Sequence, residues 1–220
     1  MKIHIITIFP ESFESYFSSS IIWRAKEKGL FEIKLYKLND FSSKNFKQVD
    51  SKAYWMHWQV ISPEPLSKSI DHIFEKIWNK VPVVYMSPSW DLLNQKKVEN
   101  YYKEFIEKSE FIIICGHYEW IDQRIIDLYV SQQISIWEYV LSSWELACQV
   151  FIDSLVRHIP WVLGNKKSLE EDSFSTKFFR QKEHPVYTRP EEFMWIKVPE
   201  ILLSWNHPEI EKWKINNLKK

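Results

Sequence analysis

Three turns of this chain carry the residues best placed to do chemistry. Each follows a short apolar run: Met86-Ser87-Pro88-Ser89-Trp90, Cys115-Gly116-His117-Tyr118-Glu119-Trp120, and Ile136-Trp137-Glu138-Tyr139-Val140-Leu141-Ser142-Ser143-Trp144-Glu145. In an open α/β sheet the helices follow the carboxyl ends of the strands, and ligands bind at those ends. All three turns contain tryptophan. With glycine in its place they read SPSG, CGHYEG and IGEYVLSSGE, backbone-rich loops of the kind that cradle a nucleotide-like cofactor. No G-x-G-x-x-G is present, so a Rossmann dinucleotide site is weakly supported. Asp172 and Arg157 are the other candidates for proton and charge work. Taken alone, Asp172 in an acidic run reads as a solvated charge, and Arg157 near a helix C-terminus is favourable to the dipole without further role. Glu119 could be a first-turn helix acid, Tyr118 and Tyr139 core aromatics, and Gly116 a plain strand-end turn.

The tryptophans are a signal of their own. The chain has 12 Trp against 3 Gly in 220 residues, where ordinary usage of roughly 7% would give about fifteen glycines. Ser89-Trp90-Asp91, Ser143-Trp144-Glu145 and Ser204-Trp205-Asn206 place Trp between small or polar residues that favour turns. Such slots ask for φ > 0 or close backbone approach, which glycine supplies. An aromatic platform for stacking bases would explain the excess of Trp but not the lack of Gly. A codon read as glycine by the source cell and as tryptophan in translation explains both. Eleven exchanges leave 14 Gly and 1 Trp.

The elements that must position the three turns alternate in type. Strands are predicted at 2–8, 31–37, 82–86, 111–115 and 132–136, and helices at 11–28, 65–77, 95–108, 119–129, 144–158 and 207–217. Short strands between longer helices imply βα units and an α/β fold with a mostly parallel sheet. Val83, Val84 and Ile112 to Ile114 suit strands buried on both faces. Residues 164–183 are polar and aperiodic and read as a long linker; the tail from 184 reads as a small helical appendage. Charges balance at 29 against 29, which excludes a global basic signature. Cys115 and Cys148 read as buried thiols of a reducing compartment. The N-terminal apolar run stops at Pro10-Glu11 and reads as a strand rather than a signal peptide. No stretch approaches the ~18–20 apolar residues of a membrane span, so a soluble, cytoplasmic protein is expected.

The chain resembles the bacterial TrmD family of tRNA (guanine-N1)-methyltransferases. The matching stretches run from Ile6-Thr7-Ile8-Phe9-Pro10-Glu11 through Val49-Asp50, Ser87-Pro88, Cys115 to Arg124, Ser135 to Ser142, Ile152-Asp153-Ser154 and Ile159 to Gly164. They continue through Glu171-Asp172-Ser173-Phe174, Tyr187-Thr188-Arg189-Pro190 and Val198-Pro199 to Asn206-His207. At Trp23, Trp55, Trp58, Trp90, Trp120, Trp137, Trp144, Trp161, Trp195 and Trp205 the family pattern has glycine. Trp78 falls in a variable loop compatible with glycine, and only Trp213 matches a family tryptophan. Two departures stand out. The loop Tyr54-Trp55-Met56-His57-Trp58 replaces a longer Gly-rich loop, and family members usually continue beyond the position of Lys220 by about two or three helical turns or more.

The resemblance implies a SPOUT-type parallel sheet with a deep trefoil knot over 1–163, an interdomain linker over 164–183 and a helical tRNA-binding domain over 184–220. It implies S-adenosylmethionine as donor, with Mg²⁺ as an accessory at most and no metal ligands among the site residues. It further implies a homodimer with active sites between subunits, tRNA with guanosine at position 37 as partner, and no membrane. By the match Asp172 is the general base, Arg157 stabilises charge developing on guanine O6, and Glu119 lies near the donor methyl and target base. The donor contacts fall on Met86, Ser87, Pro88, Gly116, Tyr118, Trp120, Ile136, Trp137, Glu138, Tyr139, Val140, Leu141, Ser143 and Trp144. Over 151–220 there are 12 basic against 10 acidic residues, a modest RNA footprint. A non-catalytic RNA-binding knotted protein, its donor loops blocked by genuine tryptophans, is the competing reading. A SPOUT methyltransferase acting on another RNA is the third. Sequencing the gene tests the codon reading: UGA is expected at the eleven positions and UGG at Trp213, and UGG throughout would refute it.

Overall fold

Runs of Ile and Val, whose branched side chains suit a pleated surface, build the frame of the computed structural model, which describes residues 1–88, 91–117, 120–164 and 167–219. Contacts divide the chain into two units, Met1–Leu163 and Gly164–Lys220. The first unit runs β1 (Lys2–Thr7), α1 (Glu14–Phe17), α2 (Ser20–Glu27), β2 (Glu32–Lys37), β3 (Asp50–Lys52), β4 (Gln59–Ile61) and α3 (Pro63–Ile77). It continues with β5 (Val83–Met86), α4 (Gln95–Lys108), β6 (Glu110–Ile114), β7 (Trp120–Ile121), α5 (Gln123–Tyr129), β8 (Gln132–Ile134) and α6 (Trp144–Val156).

Five strands form one sheet in the order β2-β1-β6-β5-β8, with every neighbouring pair parallel. Ile5 stands opposite Leu35 on one side and Ile113 on the other. Alternate residues face opposite ways. Ile3, Ile5, Val84 and Ile113 pack with Phe17 and Ile22, with Phe105 of α4 and with Phe151 and Leu155 of α6. Ile6, Val83, Tyr85, Ile112 and Ile114 pack with Leu66, Ile70 and Ile73 of α3 and Ile125 of α5. Both faces are therefore covered, as continuous apolar strands require. The rings of Phe105 and Phe111 stack at 4.2 Å.

Several boundaries differ from the sequence reading, each for a local reason. The segment read as one helix over 11–28 breaks at Ser18-Ser19-Ser20, where Ser19 Oγ bonds the Tyr16 carbonyl at 3.0 Å and Ser20 takes φ 53°. Serine hydroxyls compete with the helical ladder in this way. The helix read over 119–129 begins only at Gln123. Asp122 caps it, accepting from the Arg124 N–H at 3.0 Å, and Trp120-Ile121 pair with Val60-Ile61 instead. A second sheet, β3-β4-β7, went unread because its strands span two or three residues, too few for a period to show. α3 starts two residues early because Pro63 is pre-set for a first turn.

The second unit holds α7 (Lys167–Glu170), β9 (Glu192–Phe193), β10 (Ile196–Lys197), α8 (Glu200–Leu203) and α9 (His207–Asn216). The stretch read as a linker is turn-rich and folds on itself: the Phe174 N–H reaches the Gln181 carbonyl at 2.7 Å, and Phe178 is fully buried. Lys177 bridges Glu171 at 2.6 Å and Glu211 at 3.2 Å, and Lys214 joins Glu211 at 2.7 Å. This network ties the turn carrying Glu171-Asp172 to α9. Among the described residues no helix is long and apolar enough to cross a membrane.

His4 anchors the middle of the first sheet. Its Nδ1 lies 3.0 Å from Tyr36 Oη and its Nε2 2.8 Å from Glu110 Oε2. A neutral ring satisfies both, accepting at Nδ1 and donating at Nε2. Burial pushes the imidazole below its ordinary value, with Lys2 and Lys34 adding to that and Glu110 opposing it. The folded ring thus resists a proton that the unfolded chain accepts below about pH 6.5, so stability falls as pH drops through that value. Urea unfolding midpoints are expected to fall between about pH 7.5 and about pH 5.5, and to fall less in His4→Gln. An equal fall in both proteins would show that another group carries the slope.

Candidate functional site

The carboxyl ends of β1, β6, β5 and β8 meet beside the first turn of α6. The Cys115 N–H bonds the Ile6 carbonyl at 3.0 Å, joining the ends of β6 and β1. The Ser87 N–H bonds the Ile134 carbonyl at 2.9 Å, joining β5 and β8. The two loops that follow stay side by side: the Leu93 N–H bonds the Ser135 carbonyl at 2.8 Å, and Leu92 bridges Ser135. Ser135 Oγ turns back to the Trp137 carbonyl at 2.9 Å. Main-chain groups, rather than side chains, therefore shape this edge.

Glu145, in the first turn of α6, closes the ring of strand ends. It is 1% exposed and accepts from Thr7 Oγ1 at 2.6 Å. Thr7 Oγ1 in turn accepts from the Phe9 N–H at 3.0 Å. The second Glu145 oxygen is buried without a hydrogen-bond partner among the described residues. Burial pushes the Cys115 thiol up, and Cys148 and Glu145 add to that, so Cys115 stays a thiol and not a nucleophile. Tyr85 is pushed up to about 12 by burial, against a hydrogen bond with the Ile121 backbone. Thr7, Glu145 and Tyr85 were not singled out from the sequence. Their only mark there is position, at strand ends and at the opening of a helix.

The expected donor contacts divide by place. Met86 and Ser87 are fully buried at the end of β5, Pro88 is half-buried beyond them, and Gly116 is buried at the end of β6. Ile136 and Leu141 pack against the first core cluster, and Ser143 precedes α6 in extended backbone. Trp137, Glu138, Tyr139 and Val140 are exposed. Trp120 stands on β7, away from the parallel sheet, in a groove with Ser51, Lys52, Tyr54 and Arg124. Tyr118, Glu119, Ser89 and Trp90 lie outside the described residues.

A donor lying on this edge needs bare backbone, and Gly116 provides it. A methyl group built on Gly116 would stand 3.2 Å from Tyr85 Cε2 and 3.2 Å from Trp144 Cδ1, tighter than ordinary van der Waals contact. The missing side chain of Gly116 leaves room for the Tyr85 and Trp144 rings, which lie against it. Arg157 caps the far end of α6, about 20 Å from Trp144 at 1.5 Å per residue. Asp172 sits half-buried in the second unit, its carbonyl accepting from the Ser175 N–H at 3.1 Å. The Asp122–Arg124 pair is bidentate at 2.9 and 2.8 Å, and the guanidinium holds Asp122 below the usual carboxylate range. Among the described residues no cluster of three His, Cys, Asp or Glu could hold a metal ion.

Comparison with known proteins converges on one family. The family model described as tRNA (Guanine-1)-methyltransferase TrmD matches residues 1–220. A tRNA (guanine-N(1)-)-methyltransferase of Clostridioides difficile (strain 630) is 42% identical over 216 residues, covering 97% of this chain and 90% of the relative. One of Bacillus cereus (strain AH820) is 40% identical over 215 residues, covering 97% and 85%. Among solved structures, the tRNA (m1G37) methyltransferase from Aquifex aeolicus superposes with a TM-score of 0.77 at 33% identity, over 98% of this chain and 88% of that one.

The Thr7–Glu145 bond gives a test of the site's construction. Thr7→Val keeps the shape but strips a buried carboxylate of its one described donor, and is expected to cost about 1–3 kcal/mol in chemical denaturation. A change below about 0.5 kcal/mol, the range of neutral surface substitutions, would show that the bond does not hold the strand ends.

Proposed function

Because the chain belongs to the TrmD family of tRNA (guanine-1)-methyltransferases, we infer that it methylates N1 of guanine at position 37 of tRNA. The observation that carries this is the match along the whole chain at 42% identity. The bonded strand ends support it, being the edge of an open α/β sheet where ligands bind. S-adenosylmethionine supplies an electrophilic methyl group when bound. Met86, Ser87, Gly116 and the 135–143 loop are the parts of this chain that would hold it.

Guanine N1 carries a proton at neutral pH, and that proton must leave as N1 becomes the nucleophile. Asp172 is the proposed base, acting within hydrogen-bond reach of N1–H. Arg157 is proposed to stabilise negative charge moving toward O6, with a fixed guanidinium in a site that excludes water. Glu119 is proposed to lie beside the target base. The base must leave its stack to enter the site, and the basic residues of 164–220 are proposed to hold the phosphate backbone.

The position of Arg157 supports a shared site. An arginine about 20 Å along a helix from the donor edge cannot serve that edge within the same chain. It can serve the edge of a second copy. Leu146 and Val150, one turn apart on α6, are half exposed and offer the apolar stripe a second copy would cover. A homodimer with active sites between subunits is therefore proposed, with a trefoil knot in the first unit and a cytoplasmic location beside its tRNA substrate.

Labelled methyl transfer to tRNA transcripts tests the reading, with the chain as written and a form carrying glycine at the eleven positions assayed together. At least one form is expected to label a G37 transcript and neither an A37 transcript. In the active form Asp172→Asn is expected to lower turnover by about 10²–10⁴-fold, with little change in tRNA affinity. Equal labelling of both transcripts would assign the enzyme to another target, and full activity of Asp172→Asn would remove Asp172 as the base.

A further inference from the structure

The tryptophans sort into two kinds by backbone and surroundings. Trp213 lies inside α9, with its ring 5.9 Å from His184 and 6.3 Å from Tyr187. It packs as a tryptophan should. Trp55, Trp78, Trp161, Trp195 and Trp205 instead have φ of 65°, 54°, 73°, 71° and 57°. This left-handed region is unfavourable for any residue with a Cβ, and a bulky one there is an outlier. Thirteen non-glycine residues are found there among those described, and five are tryptophan, a residue that makes up 12 of 220. All five are between 70% and 102% exposed, so burial of the ring does not offset the strain.

The chain contains its own control. Gly29 closes α2 at φ 67°, with its N–H on the Lys26 carbonyl at 2.8 Å and the Leu30 N–H on the Ala25 carbonyl at 3.1 Å. Trp78 closes α3 by the same pair of bonds: its N–H meets the Glu75 carbonyl at 3.3 Å and the Asn79 N–H meets the Phe74 carbonyl at 3.3 Å. This is the helix-ending position that glycine dominates. Met194 and Trp195 form the two-residue loop between β9 and β10, with φ of 48° and 71°. Positive φ at both central residues of such a loop favours glycine at the second. Trp55 lies in the β3–β4 loop, which the Ala53 N–H closes on the Trp58 carbonyl at 3.0 Å.

Trp144 is of another sort. It is 5% exposed, and its ring lies on the one genuine glycine of the strand ends, Gly116. Trp120 and Trp137, expected among the donor contacts too, are both exposed.

We infer that Trp55, Trp78, Trp161, Trp195 and Trp205 occupy glycine positions of this fold, that the working polypeptide carries glycine at them, and that residue 144 is the one that opens or closes the donor site. The part concerning the donor rests on the methyl-transfer reading; the part concerning backbone does not.

The experiment compares full-length proteins by thermal unfolding and by calorimetric titration with S-adenosylmethionine. One set carries glycine at 55, 78, 161, 195 and 205, a second carries alanine at the same five, and Trp144→Gly, Trp213→Gly and the eleven-glycine protein stand beside them. Loss of the indole is common to the first two sets, so their difference reads the left-handed backbone alone. The glycine set is expected to melt several degrees above the alanine set and above the chain as written, and Trp213→Gly to melt below it. A glycine set melting at or below the alanine set would overturn the inference whatever the enzyme does. Trp144→Gly is expected to bind S-adenosylmethionine at least tenfold more tightly than the chain as written; unchanged affinity there, with tight binding by the eleven-glycine protein, would overturn the role given to residue 144. Melting as expected with no binding by any protein would leave the glycine positions standing and bring down the methyl-transfer reading.

Discussion

Close approach of backbone to backbone at the carboxyl edge of the parallel sheet is the constraint on which the first unit depends. β1, β5, β6 and β8 end together, and their last carbonyls and amides bond to one another or to the loops that follow. Glu145 is buried there as a hydrogen-bonding anchor, reached by the hydroxyl of Thr7. A carboxylate in the first turn of a helix also meets the positive end of its dipole. The same bond anchors the first turn of α6, the helix that Arg157 caps at its other end.

Much of the frame was legible in the sequence. Val83-Val84 and Ile112 to Ile114 have no polar face, and they are the central strands. α4 spans the predicted 95–108 because Asn94 caps it, accepting from the Lys97 N–H at 3.0 Å. What stayed hidden was short or tertiary. β7 is two residues whose strand character comes only from Val60 and Ile61 across the gap. The pairing of Thr7 with Glu145 spans 138 positions, and no periodicity reports a contact of that range. The three strand-end turns were found because small residues and apolar runs mark them locally, whereas the roles of Asp172 and Arg157 came through family resemblance and belong to the proposal.

The two units are built on different terms. The first is held by two apolar layers on either side of a sheet. The second relies more on surface ion pairs: Lys177 and Lys214 are shared between Glu171 and Glu211. A shared pair costs less side-chain entropy than isolated ones, but such contacts are still weakened by salt. The turn that presents Asp172 is thus fastened by charge, while the edge proposed for the donor is fastened by packing and main-chain bonds. High ionic strength should act on the two unequally.

Gly29 and Trp78 perform one backbone operation with two different letters. A dihedral angle is set by the whole surrounding structure, while a letter is set by a translation table. When the two conflict, as at Trp78, the angle keeps the older meaning. A protein fold can in this way act as a bilingual inscription: helix endings written with a known glycine give the key by which miswritten ones are read, and a genetic code can be audited from the shape of its product.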